Sequence, residues 1–63
     1  MEQPNTRNVI KDAERKVTYV VMAYRQLSRE EIVIAVRHHL SQRRGQPKKG
    51  STIIIMTTFG YND

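Results

Sequence analysis

Cysteine is absent from the sequence. Disulfides are therefore excluded, as are the thiolate-based zinc sites of many small nucleic-acid modules. Tryptophan is absent too, and a single phenylalanine stands beside three tyrosines, too few rings for a platform that stacks single-stranded bases. Between Asn5 and Arg44 there is neither glycine nor proline, so nothing in that stretch forces a loop. Long apolar runs are also missing. The nearest, Val17 to Tyr24 with Thr18 inside it, falls far short of the ~20 residues that span a bilayer. No membrane partner is expected. The opening Met1-Glu2-Gln3-Pro4-Asn5 lacks the basic start and apolar stretch of a signal peptide, which makes the cytoplasm the expected location.

What remains is 63 residues, enough for a single domain over 1–63. A chain of this size buries only about 60% of the surface its unfolded form exposes. One such core rarely supplies more than ~3–5 kcal/mol, so small scaffolds recruit a disulfide, a metal or a second subunit. With the first two unsupported by composition, self-association is the expected help. Eleven Lys and Arg against six Asp and Glu give a net charge of +5, a balance that favours acidic partners. The charge is uneven: residues 1–28 carry +2, residues 29–50 carry +4 and residues 51–63 carry −1.

Ser28-Arg29-Glu30-Glu31 sets a hydroxyl three residues before a carboxylate, a reciprocal capping box that marks a helix start. The acidic pair in the first turn, Arg43-Arg44 in the last and Gly45 beyond suit the helix dipole and a helix end. The expected helix runs over 28–44. Its apolar face holds Ile32, Val33, Val36 and Leu40, widened by Ile34 and Ala35. Before it, Ile10, Ala13, Val17, Val20, Tyr24 and Leu27 recur at steps of three and four, which predicts a helix over 6–26. The β-branched and aromatic content of Val17 to Val21 supports the alternative of a strand over 16–24. After a polar loop at 41–50, Ser51 to Phe59 has strand composition.

The preferred fold is thus α+β. Two helices form a helix-turn-helix-like hairpin, followed by a basic loop and a C-terminal strand that, lacking a partner in its own chain, pairs across a homodimer. The alternative is an α-β-α-β order containing a β-α-β unit, in which that strand pairs internally.

Arg37, Arg43, Arg44, Lys48 and Lys49 gather at the end of the expected helix and in the loop after it, where long cationic side chains can follow a phosphate backbone. They are the candidate nucleic-acid-binding residues, for DNA or RNA. The bland reading is that cations gather at helix C-termini and in loops for dipole and solubility reasons. As a helix-turn-helix reader the Ser28 helix is weakly furnished: only Arg29, Arg37 and His38 offer polar reach in an apolar context. His38 and His39 are adjacent, and neighbours on a helix diverge by about 100°, a poor grip on one ion.

Gly45 to Thr52 has the glycine spacing of a phosphate-binding P-loop, yet Ser51 stands where that motif needs lysine. The expected context, helix then strand, is also inverted. No nucleophile-base pair or differentiated pair of carboxylates is evident, so no catalytic residue, metal or cofactor is expected. A non-enzymatic binding domain is the expected function. The rival is a protein-interaction module that offers its apolar helix and strand edge to a different protein partner.

Overall fold

The stretch expected as one helix over 6–26 is instead a β-hairpin in the computed structural model, which describes residues 3–43 and 45–62. Strand β1 spans Thr6–Asp12 and β2 spans Val17–Ala23; helix α1 then runs over Arg29–Ser41 and strand β3 over Thr52–Met56. The helix-turn-helix-like hairpin is therefore overturned, although the protein remains α+β, with one helix among the described residues. The physical reason lies in β2. Its sequence Val-Thr-Tyr-Val-Val-Met-Ala is the β-branched and aromatic composition that fits a pleated surface.

The sheet order is β1-β2-β3. Strand β1 lies antiparallel to β2, with Ile10 opposite Tyr19 and Asn8 opposite Val21. Strand β3 lies parallel to β2, with Val20 opposite Ile54. The C-terminal strand thus finds its partner inside the chain, and the reason for pairing it across a homodimer disappears. Residues 17–56 form a β-α-β unit, preceded by a strand and not by the leading helix of the alternative reading.

Helix α1 starts as the sequence indicates. Ser28 caps it: its Oγ accepts from the Glu31 amide at 3.2 Å, and the Glu31 carboxylate accepts from the Ser28 amide at 2.9 Å. The C-cap is Gln42, so the helix ends short of the expected 44, and Gly45, at φ +80°, lies beyond it.

One face of the sheet packs on α1. Val17, Tyr19, Val21 and Ala23 of β2 meet Ile32, Ala35 and Val36 of the helix, with Leu27 and Ile55 completing the buried cluster. Fully burying a valine or isoleucine side chain is worth about 1.5–3 kcal/mol. A polar residue belongs to this interior: Asn8, 5% exposed, points from β1 toward the corner where β2 turns into the helix. Its amide nitrogen donates to the carbonyls of Thr6, Val21 and Arg25, and its oxygen accepts from the Leu27 amide at 2.8 Å. Every polar atom of the side chain is therefore engaged, as burial demands.

Past β3, pairing continues irregularly, with the Thr57 amide donating to Met22 and the Tyr24 amide to Phe59 at 2.9 Å each. The strand is thus shorter than the expected 51–59, and Phe59 still reaches the core.

Candidate nucleic-acid interface

Strand β3 lies parallel to β2, so it begins at the end of the sheet where β2 begins, with Thr52 opposite Thr18. Here that end also carries the hairpin turn between β1 and β2. Asp12 builds the turn: one carboxylate oxygen accepts from the amides of Glu14 at 3.1 Å and Arg15 at 3.2 Å, a local bond typical of aspartate in turns. Lys16 closes it in the left-handed region, at φ 55°.

The loop before β3 is stitched to this turn. The Gly50 amide donates to the Lys16 carbonyl at 2.9 Å, the Thr18 amide donates to the Ser51 carbonyl at 3.0 Å, and the Ser51 amide folds back to Lys48 at 3.1 Å. Arg15 Nη1 donates to Gln46 Oε1 across the gap. Gly50 itself adopts φ +83°, a conformation open to glycine at no steric cost.

These bonds bring together two cationic segments far apart in sequence. Arg15 and Lys16 stand on the turn and Lys48 and Lys49 on the loop, all exposed. Arg43 follows the helix end, where its amide donates to Leu40 at 3.2 Å; its side chain is exposed, and its neighbour Gln42 lines the groove that α1 forms with Ile55 to Phe59. Arg44 lies outside the described residues. The sole carboxylates on these segments are Asp12, occupied in holding the turn, and the exposed Glu14.

Arg37 lies with Arg29 and Val33 along the side of α1 nearest β1, lining an open cleft of about 490 Å³ that reaches Lys11, Asp12 and Ala13 at the start of the hairpin turn. Arg15 and Lys16 were not among the residues expected from the sequence. Assigned to a helix, they are merely part of its polar side. The signal that could have found them is Asp12 followed by a short polar stretch between two β-branched segments, which is also a hairpin pattern.

His38 and His39 both line a second groove, about 460 Å³, between α1 and β3. His38 is exposed and His39 half-buried, with the His39 Nε2 enclosed and without a hydrogen-bond partner. Among the described residues no three His, Cys, Asp or Glu side chains approach closely enough to hold a metal ion, and no helix is long and apolar enough to cross a membrane.

Comparison with protein-family models, with curated proteins and with solved structures finds no match for this chain.

Proposed function

We propose that the chain is a non-enzymatic binding domain whose cationic end, Arg15, Lys16, Arg43, Lys48 and Lys49, grips the phosphate backbone of a duplex nucleic acid. The observation that carries this reading is the bond from Gly50 to Lys16, which joins the hairpin turn to the loop and sets two cations of each segment at one end of the sheet. Phosphate contacts of this sort position a protein without reading sequence. Aromatic pairing supports a duplex over a single strand: Tyr24 and Tyr61 pack together with ring centroids 5.0 Å apart, and Tyr24 is joined by its amide to Phe59, at the end of the sheet away from the cations. Stacked bases would therefore find no platform beside the charge.

The test is a titration against labelled duplex and single-stranded DNA and RNA at two salt concentrations. With about four phosphates engaged, the logarithmic salt slope is about −3.6, so a fourfold rise in salt weakens duplex binding roughly a hundredfold. Glutamine at Arg43, Lys48 and Lys49 abolishes the binding and leaves the fold intact. Unchanged affinity in that variant overturns the reading.

A further inference from the structure

The face of the sheet turned away from α1 is built of nine side chains in three rows, read directly from the strand registers. The middle row is Val9, Val20 and Ile54; on one side of it stand Arg7, Met22 and Met56, and on the other Lys11, Thr18 and Thr52. Val9 is 52% exposed, Ile54 65% and Met56 60%. Val20 is 2% exposed yet lies outside the helix-side core, because Val9 and Ile54 shield it from either flank. Among the described residues no helix or strand packs on this face.

Parallel strand pairs are ordinarily covered on both faces, and their strands read as continuous apolar runs. Strand β2 has that character, with Val17, Tyr19, Val20 and Val21 all buried, but among the described residues α1 alone covers the sheet, on one face. Across three strands the face is about 10 Å wide, two interstrand spacings, which is the diameter of one helix with its side chains.

Charge selects the occupant. Arg7 and Lys11 flank the apolar row along β1 by register, both exposed, Lys11 at the edge where β1 also borders the cleft beside α1, and none of the nine positions is acidic. A second copy laid face to face would bring four cations together without a counter-charge, in a chain already at +5. We infer that the open face of the sheet docks an acidic amphipathic helix of a partner protein, its apolar stripe over Val9, Val20, Ile54 and Met56 and its carboxylates toward Arg7 and Lys11. The mode is the packing of an amphipathic helix on a complementary apolar surface, and it completes a third layer on a two-layer domain.

The probe is a fluorescein-labelled peptide of about 18 residues with leucines at helical spacing and glutamate elsewhere, beside a twin with lysine in place of every glutamate. Binding is read by anisotropy and its position by amide chemical shifts of the protein. The glutamate peptide binds and the lysine peptide does not. Ile54→Thr, which alters an exposed side chain, weakens binding about tenfold or more, and so does the pair Arg7→Glu and Lys11→Glu. Circular dichroism melts confirm that these variants fold. Glutamine at Lys48 and Lys49 leaves the peptide affinity unchanged, so this inference and the nucleic-acid reading fail separately. It is overturned by no binding, by equal binding of the two peptides, or by shifts confined to the groove between α1 and β3. It is equally overturned if the free chain sediments as a dimer that Ile54→Thr dissociates, or if Ile54→Thr removes binding to duplex DNA.

Discussion

The side-chain oxygen of Asn8 accepts the backbone amide of Leu27 at 2.8 Å, across 19 residues of sequence. The same side chain donates to the carbonyls of Val21 and Arg25 at 3.3 and 3.2 Å, so a single amide ties strand β1 to the corner that launches the helix. Replacing it with alanine leaves the Leu27 amide enclosed without a partner. Each buried group so abandoned costs about 1–3 kcal/mol, and Asn8→Ala is expected to lose roughly 2–3 kcal/mol, read as a lower urea midpoint with unchanged slope. Asn8→Leu, of similar volume but equally unable to accept, is expected to fare no better.

A second tie sits at the start of the helix. The Arg25 guanidinium grips Glu31 in a forked pair, at 2.7 and 3.1 Å, and the Ser28 amide adds a third bond at 2.9 Å. The guanidinium first, and the Ser28 amide second, hold the Glu31 carboxyl down from 4.5 to about 2. A depressed carboxyl contributes stability that is fully present above its unfolded value and is lost as pH falls toward its folded one. The melting temperature of the parent is therefore expected to exceed that of Glu31→Gln above pH 4.5, and the gap to close as pH falls to about 2. Because the pair is partly exposed, molar salt narrows the gap as well. A gap independent of pH contradicts this account.

These two ties differ in how far the sequence announces them. The capping box is local, four consecutive residues whose roles depend on nothing else, and Ser28 and Glu31 were legible at once. Strand β3 was legible for the same reason, since Ile53, Ile54 and Ile55 declare it by composition. The hairpin was hidden because its central strand is buried on both faces. Val17 and Val20 look like neighbours on one helical stripe, yet they point to opposite sides of the sheet, and the alternation expected of a half-exposed strand is erased. Strand β1 compounds the confusion by turning Asn8 inward and Val9 outward. The site suffered accordingly: Lys48 and Lys49 stand out as a run, whereas Arg15 and Lys16 become part of it only through long-range bonds to the loop.

Gly60 sits at φ +83°, and a β-carbon there would lie 2.6 Å from Arg25 Cγ and 3.2 Å from the Arg25 amide nitrogen. Gly60→Ala is expected to cost about 1–2 kcal/mol for the backbone conformation alone. The displaced side chain is the one that holds Glu31, so part of the loss is shared with Glu31→Gln. In a double-mutant cycle the two substitutions together are expected to cost less than their separate effects combined. Strict additivity would show that Arg25 yields to the methyl group without releasing its carboxylate.

Lys16 offers the sharpest separation of stability from function. A side-chain-bearing residue in the left-handed region costs roughly 1–2 kcal/mol, and Lys16 holds that conformation at φ 55° while its carbonyl anchors Gly50. Glycine makes the same backbone bond without the steric cost, offset in part by the greater freedom it surrenders on folding. Lys16→Gly is therefore expected to stabilise the fold by roughly 0.5–1 kcal/mol. If Lys16 also contacts a phosphate, the same substitution lowers the magnitude of the logarithmic salt slope for duplex binding by about 0.9. Arg37→Gln removes equal charge from the cleft that borders Asp12 and Ala13 of the turn, and a slope left unchanged by it places that cleft outside the interface. A Lys16→Gly variant that gains stability and keeps full affinity would remove the hairpin turn from the interface.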